Sequence, residues 1–360
     1  MLERLVLPWW LRLSLALPLL ALNLWVLRQL LLPLSPFPAL FLGAALIAFL
    51  LDLPTRWLTL RGLPRPLAVL LVVGVALGLL VLAALWLLPR LIEQLGELVH
   101  VLPTWLVEAE DWLDRLEGWA IERGLPTDFT DISSALFARA SQIASQLSQR
   151  ALGILGATVG LTVNIVIVAV LALFLLLGGD SIVAGLARWL PERVRDLVLT
   201  TLNRTFRGYF AGQVLLALIL SVLQIGVFTL LGIPYGVLFA VAIGFTTLVP
   251  YASAVTIVLV SVLLALDNPR TALEVLAAAI SVGQVVDQGI QPRLMGSIVG
   301  LQPAWLLVCL PIGARVGSLM GFGDLLGLLL AVPVASCLKT FLDAWGQSQW
   351  PRPEESPQPG

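Results

Sequence analysis

Four polar side chains share one face of an otherwise apolar segment in the C-terminal half of the chain. They are Gln284, Asp287, Gln288 and Gln291. Their spacing of i, i+3, i+4 and i+7 places them on one stripe of an α-helix. Because polar groups are costly in apolar surroundings, we expect the stripe to line a translocation path, with Asp287 as its titratable group. The structural alternative is that Asp287 and Arg293 form an ion pair that caps a helix end.

Prolines interrupt the apolar runs around this stripe, at Pro250, Pro292 and Pro311. A proline removes a backbone donor and clashes with the preceding turn, so it kinks or breaks a helix. Broken helices expose N–H and C=O groups that transporters use as solute and ion sites. The run 235–266 is too long for one ordinary span. We expect it to form a re-entrant hairpin broken at Pro250, the alternative being one kinked crossing helix.

The composition explains why polar groups are so informative here. The 360 residues are 59% apolar and 12% charged, whereas a soluble chain carries about a quarter charged residues. This predicts an all-α, polytopic membrane protein that has the lipid bilayer as its partner. The net charge is −1, and the sequence contains no tract of basic residues. Nucleic acid is therefore not expected as a partner.

The same composition argues against several kinds of chemistry. One histidine and two cysteines exclude a histidine-rich metal cluster and a disulfide framework, so neither a metal nor a cofactor is expected. Phosphate-binding loops, nucleophile elbows and zinc-protease helices are also missing from the sequence. We therefore expect a protein that is not an enzyme.

Apolar runs long enough to cross about 30 Å of hydrocarbon predict about eight transmembrane helices, with 235–266 as an additional hairpin. Short arginine-rich turns, such as the one holding Arg56, Arg61 and Arg65, are expected on the cytoplasmic side. With 235–266 as a hairpin both termini are then cytoplasmic, whereas a crossing helix would place the C-terminus outside, and the charge distribution does not separate the two. We expect the first span to be retained in a multi-pass protein of a bacterial plasma membrane. The predicted spans are 13–33, 37–53, 66–89, 151–177, 208–231, 271–288, 298–316 and 320–340.

The segment 90–150 differs from the rest of the chain, because it holds ten acidic residues against five arginines. Its apolar residues recur at helical intervals, and Trp105, Trp112 and Trp119 are seven residues apart. This predicts amphipathic helices at a membrane surface or in a small helical subdomain. The expected organisation is a three-span N-terminal region, this acidic segment, a C-terminal transport core and a disordered tail, at 1–89, 90–150, 151–345 and 346–360.

Several short motifs, in fixed order, resemble those of the autoinducer-2 exporter family, the AI-2E or PerM-like permeases. They span about residues 150–340. One difference is that Ser253-Ala254 stands where the family commonly has Gly-Pro. The motifs are Arg207-Gly208-Tyr209-Phe210-Ala211-Gly212-Gln213, Leu231-Gly232-Ile233-Pro234, Leu248-Val249-Pro250-Tyr251, Asp287, Gln291-Pro292-Arg293-Leu294-Met295-Gly296, Val299-Gly300-Leu301-Gln302-Pro303 and Ala331-Val332-Pro333-Val334.

The resemblance implies a transporter of a small solute that assembles as a homo-oligomer. Members have been assigned to export of autoinducer-2 and to sodium or lithium/proton antiport. The leading hypothesis is an ion- or proton-coupled exporter of a small polar organic solute, and the alternative is a cation/proton antiporter. A scaffold that transports nothing is a third interpretation, against which the broken helices argue.

Residues expected along the solute or ion path come from the stripe and from the family motifs. In this hypothesis Asp287 is the coupling group, and Arg293 is its charge partner or an anion contact. Tyr251 and Ser253 would donate hydrogen bonds at the hairpin tip. The full set is Gln213, Pro250, Tyr251, Ser253, Gln284, Asp287, Gln291 and Arg293, with Arg315 and Asp324 as secondary candidates.

Overall fold

A computed structural model describes residues 36–123, 158–189, 192–295 and 303–349, with scattered positions between 18 and 34 and between 142 and 149. All regular structure in these described ranges is helical, as the sequence predicts. The helices are α1 (Phe37–Leu60), α2 (Arg65–Glu122), α3 (Thr158–Ala187), α4 (Glu192–Leu230), α5 (Gly236–Thr246), α6 (Ala252–Ala265), α7 (Pro269–Val285), a π-helical segment π1 (Val286–Ile290), α8 (Gln291–Met295), α9 (Pro303–Leu319) and α10 (Asp324–Gln349).

Five helical stretches of the described chain are long and apolar enough to cross a membrane, and four shorter apolar helices accompany them. The predicted count of about eight spans is therefore not confirmed, although the class of polytopic helical protein is. The five stretches are Phe37–Leu60, Arg65–Glu108, Val198–Leu230, Pro269–Leu294 and Asp324–Asp343, and the four shorter helices are Val163–Gly179, Gly236–Thr246, Ala252–Ala265 and Ala304–Leu319.

Several element boundaries differ from the sequence expectation. Helix α2 continues through residue 90 as one helix of 58 residues, so the acidic segment begins inside it. Pro311 lies within α9 and does not break it. At Pro292 the chain also stays helical, because π1 passes directly into α8. Tertiary neighbours can re-satisfy the backbone groups that proline frees, which is why proline alone overpredicts breaks.

Parts of the predicted organisation lie outside the described residues. These are part of the first span, most of the acidic segment beyond residue 123, the start of the span predicted at 151–177, residues 296–302 and the chain beyond residue 349.

The chain forms two compact units. Unit 1 comprises residues 1–50, 167–207 and 299–360, and unit 2 comprises 51–166 and 208–298. In unit 1, α9 and α10 pack backbone to backbone through three glycines. A Cβ on Gly317 would lie 2.6 Å from the carbonyl oxygen of Gly323 and 2.7 Å from Cα of Gly327. A Cβ on Gly313 would lie 2.6 Å from the Gly327 carbonyl oxygen, so small residues set this close approach.

Unit 2 contains the hairpin, which we define as α5, the turn 247–251 and α6. With 11 and 14 residues, α5 and α6 rise only about 16 and 21 Å, too little for either to cross the hydrocarbon alone. Helix α5 runs back along α4. Gly244 faces Ala217 and Ser221, and Gly236 lies against Phe228. Helix α6 in turn packs on both α5 and α7.

Candidate functional site

The hairpin tip is the turn at residues 247–251, and its backbone shows why the run 235–266 breaks there. Pro250 cannot donate a helical hydrogen bond. Tyr251 follows with φ 66°, in the left-handed region that side chains other than glycine rarely adopt. Tyr251 is also the N-cap of α6 and provides no side-chain cap. The predicted break at Pro250 is therefore confirmed, whereas re-entry of this hairpin into the membrane stays a prediction.

Gln213 of α4 is the side chain that reaches this tip. Its Nε2 donates a hydrogen bond to the backbone carbonyl of Thr247, the C-cap of α5. The Gln213 side chain is buried, with 7% of its surface exposed. A helix leaves its last carbonyls without intrahelical partners, and this amide satisfies one of them. The structure thus brings Gln213 together with the turn that contains Pro250.

The first turn of α6 offers backbone donors at the same tip. The N–H groups of Ser253 and Ala254 donate no hydrogen bond within the described part of the chain. Ser253 is half-buried, and Tyr251 is 49% exposed. Free N–H groups at a helix start attract a hydrogen-bond acceptor. The hairpin tip therefore offers backbone donors in addition to the side chains that the sequence predicted there.

The base of the hairpin, residues 231–235 and 266–268, is held differently. Gln94 of α2 accepts a hydrogen bond from the backbone N–H of Leu238, at 2.8 Å. Burial raises the pKa of Tyr235 above its ordinary value of 10.0, and the nearby carboxylates of Glu97 and Asp267 raise it further. Tyr235 and Asp267 flank the hairpin on either side. Their proximity shows that the hairpin leaves and returns at the same end of unit 2.

The polar stripe lies on π1 and its neighbours. Gln288 Nε2 donates to Gln284 Oε1 at 2.5 Å, so these two amides do share a face. The N–H of Gln291 donates to the carbonyl of Val286, five residues back, which widens the helix locally. Pro292 then has no N–H for the carbonyl four residues before it. The polar residues predicted to lie on one α-helical stripe are therefore divided by a wider π-helical turn at Val286–Ile290.

Asp287 and Arg293 do not form the ion pair that was the structural alternative. Each is exposed in the isolated chain, and neither has a salt-bridge partner within the described residues. Gln284 is also exposed, and Gln291 is half-buried. No hydrogen bond of the described chain connects the hairpin tip with Asp287 or Arg293. The tip and the stripe are thus two separate polar groups within unit 2.

The secondary candidates lie in unit 1. Arg315 is exposed on α9, and Asp324 is the exposed first residue of α10. A carboxylate there interacts favourably with the positive end of the helix dipole, which is a structural role. Within the ranges described, no three His, Cys, Asp or Glu side chains group closely enough to hold a metal ion.

Gln224 was missed by the sequence reasoning. It is fully buried on α4, and its Nε2 donates to the carbonyl of Ala279 in α7 at 3.2 Å. Its Oε1 is buried without a hydrogen-bond partner. The signal was available, because Gln224 is the only amide side chain in the apolar run 214–231.

Comparison with known proteins decides the family. Residues 15–347 match the family described as AI-2E family transporter. The chain belongs to the AI-2E transporter family. It is 36% identical to a Synechocystis protein named transport protein sll0063, over 86% of this chain and 78% of that protein. It is 32% identical to Synechocystis transport protein sll0060, over 93% and 96% of the two chains.

A third relative extends the family to a distant bacterium. The Escherichia coli K12 protein named permease PerM is 28% identical over 86% of this chain and 87% of its own length. The AI-2E motifs quoted above all lie within the matched residues. Together with its apolar helices, this membership makes the protein an integral multi-pass membrane transporter.

Proposed function

We propose that this AI-2E protein is an ion- or proton-coupled exporter of a small polar organic solute, with Asp287 as the coupling group. The observation that carries the proposal is the carboxylate of Asp287, which lies in the apolar stretch Pro269–Leu294 and has no ion-pair partner among the described residues. An unpaired charge facing lipid is costly, so such a group faces a water-filled path or a partner. A carboxylate on that path can bind a proton or a cation on one side of the membrane and release it on the other.

The hairpin tip is the proposed contact for the solute. There Gln213, the free N–H groups of Ser253 and Ala254, and the exposed ring of Tyr251 provide neutral hydrogen-bonding and apolar surfaces. The six polar side chains buried in the described chain are all uncharged glutamine, serine or threonine. A neutral polar solute suits such groups, because burying a charge without a partner is expensive. Gln284, Gln291 and Arg293 extend the proposed path beside Asp287.

The experiment is proton flux in proteoliposomes under an imposed pH gradient, read with an entrapped pH-sensitive dye and autoinducer-2 as the solute probe. Asp287→Asn should abolish solute-dependent proton movement, because the amide does not titrate. Asp343→Asn is the matched control, since that exposed carboxylate of α10 is not a candidate for the path and should leave the flux unchanged. Coupled flux that survives in Asp287→Asn contradicts the proposed role.

The same vesicles distinguish the second candidate, a sodium or lithium/proton antiporter, in which Asp287 or Asp324 would be the required carboxylate. Adding sodium chloride or lithium chloride without any organic solute should then collapse the pH gradient in the wild type and not in the variant of that carboxylate, Asp287→Asn or Asp324→Asn. A response to autoinducer-2 alone supports the exporter. A scaffold would respond to neither, and a deletion of residues 92–148 would remove a bound partner.

We further propose that the protein assembles as a homo-oligomer in the bacterial plasma membrane, with both termini in the cytoplasm. Leu70, Leu82 and Leu85 of α2 are 65–73% exposed in the isolated chain. Gly74 and Gly78 on the same helix have open space where their Cβ atoms would lie, unlike the filled glycines of α9 and α10. Small residues four apart allow close helix contacts, and a second copy is the occupant we propose.

Replacing both Gly74 and Gly78 with isoleucine should shift the detergent-solubilised protein to monomers in light scattering. An unchanged mass would assign this face to lipid. Reporter fusions at each terminus, read for cytoplasmic fluorescence, test the orientation.

A further inference from the structure

The distal part of α2 reaches the base of the hairpin. The uninterrupted apolar run of α2 ends near Trp86 and Arg90, within the longer stretch Arg65–Glu108, and the Arg90 guanidinium lies 4.2 Å from the centroid of the Trp86 indole ring. Such arginine–tryptophan pairs are typical of the interface between hydrocarbon and water. Beyond that point one face of the helix is again buried. Its members are Leu98, Leu102, Trp105 and Leu106, each at most 7% exposed.

Gln94 in this part of α2 caps a helix that is far away in the sequence. Leu238 is the third residue of α5, and its N–H has no partner within the helix. The usual acceptor for such an N–H is the N-cap side chain, yet here the N-cap is Tyr235, at φ 56° and without a side-chain cap. Gln94 Oε1 accepts the N–H instead, across 144 positions of sequence.

An aromatic contact reinforces the same junction. Trp105 lies three helical turns after Gln94 and therefore on the same face of α2. Its ring meets that of Tyr235 edge-on, with centroids 6.1 Å apart, and Tyr235 meets Phe239 at 6.2 Å. The first residues of α5 are thus held by an amide cap and by a chain of three rings, and α2 contributes to both.

Helix α5 is consequently attached at both ends by glutamines of other helices. Gln94 of α2 binds its N-terminus, and Gln213 of α4 binds the Thr247 carbonyl at its C-terminus. An isolated helix of 11 residues is marginal, so its position depends on such attachments. We propose that residues 94–105 of α2 act as a clamp on the hairpin, with Gln94 as a positioning residue for its tip. The link from tip position to transport rests on the proposed function, whereas the clamp itself does not.

The test is hydrogen exchange, followed by mass spectrometry, on the full-length protein in lipid nanodiscs. Removing a helix cap costs enough to change a local opening equilibrium about five-fold. Gln94→Ala should therefore speed exchange about five-fold over residues 236–255, which include the tip. Gln94→Glu should exchange like the wild type, because its carboxylate accepts the same N–H at a helix start. Glu93→Gln, an exposed neighbour on α2, is the matched control and should change nothing.

Three outcomes would overturn the clamp. Unchanged exchange in Gln94→Ala would show that α5 is held without the cap. Faster exchange limited to residues 236–240 would show that the cap does not determine the position of the tip. Uniformly faster exchange, including α9 and α10, would show a general loss of stability and no specific positioning. Because exchange is measured without any solute, the result stands whether or not the Asp287 flux experiment succeeds.

Discussion

At the scale of single residues, two buried glutamines on α4 connect helices that are distant in sequence. Gln213 and Gln224 are 11 residues apart, which is three helical turns and so the same face. Each donates its amide N–H to a backbone carbonyl, that of Thr247 or of Ala279. The two side chains differ in their hydrogen bonding, because the buried side-chain oxygen of Gln224 accepts no hydrogen bond. A buried acceptor without a donor lowers stability, so this oxygen offsets part of what the Gln224 hydrogen bond contributes to the free energy of unfolding.

This predicts an unusual ranking of Gln224 variants. Gln224→Met removes the unsatisfied oxygen together with the hydrogen bond, so the free energy of unfolding should stay within about 1 kcal/mol of the wild type. Gln224→Glu places an uncompensated charge in the same buried position and should cost about 3 kcal/mol or more. Unfolding in mixed detergent–SDS micelles measures both.

Gln288, an exposed residue of π1, is the control for Gln224. Its Met and Glu variants should each change the free energy of unfolding by less than about 0.5 kcal/mol. A Gln224→Glu variant as stable as the wild type would mean that water or a donor reaches this position.

Single residues also show how far sequence reasoning extends. The family motif that ends in Gln213 predicted a path residue, and its contact with the tip is the geometry such a role needs. The role itself stays a prediction. For Asp287 and Arg293, spacing left the ion pair open, and only the structure excludes it among the described residues. Spacing along one helix determines which residues share a face and not which charges approach each other.

At the scale of elements, the packing of α5 on α4 depends on small residues. A Cβ on Gly244 would overlap the hydroxyl of Ser221 and lie 2.9 Å from the carbonyl oxygen of Ala217. A carbonyl oxygen of the α4 backbone cannot move aside as a flexible side chain can. The close approach of the two helices is therefore specific to glycine at this position.

We predict that Gly244→Ala destabilises the hairpin by about 1–3 kcal/mol, the range typical of overpacking. Ser221→Ala added to it should rescue only part of this loss, because the Ser221 Cβ and the Ala217 carbonyl remain in contact range. Thermal unfolding of the purified protein is the measurement.

The matched control is Gly226→Ala, an exposed glycine of α4 with open space around it. Alanine is the better helix former, so this change should be neutral or stabilise by up to about 1 kcal/mol. Equal losses in the two variants would show that helix propensity, and not the contact with α4, determines the effect.

The π-helical segment is the element that periodicity described least well. An α-helical spacing predicted the stripe, and the i, i+4 pair Gln284 and Gln288 obeys it. The extra residue in the wider turn lies at Val286–Ile290. Gly289 and Pro292 were the available signals, since one weakens an α-helix and the other removes a donor. Nothing in the local pattern specified which turn would widen.

At the scale of the whole molecule, the chain divides into two compact units. Unit 1 includes the close glycine contact between α9 and α10, and unit 2 includes the hairpin, its clamp and the polar stripe. The transport core expected at 151–345 therefore contributes to both units. The secondary candidates Arg315 and Asp324 belong to the first, and the primary candidates belong to the second.

Because each unit is compact by itself, we predict that a mutation in one unit changes hydrogen exchange in that unit and not in the other. Gly317→Ala should push α9 and α10 apart and speed hydrogen exchange over residues 303–349, because its Cβ would meet backbone atoms on two sides. Protection of residues 236–265 in unit 2 should stay within two-fold of the wild type, in the range of about 0.5 kcal/mol expected for independent sites.

Gly185→Ala serves as the control in unit 1, since its Cβ would enter open space on α3. Equal loss of protection in both units after Gly317→Ala would show that the two unfold as one cooperative body.

The sequence by itself determined the class of this protein, the break at Pro250 and, through short motifs in fixed order, its family. These depend on local quantities, namely the length of apolar runs, the missing donor of a proline and the order of residues. Only the tertiary structure decided the partners of Gln94, Gln213 and Gln224, which lie 144, 34 and 55 positions away. Such contacts depend on which helices pack together, and in a bilayer many apolar faces are interchangeable until backbone approach and single polar groups select among them.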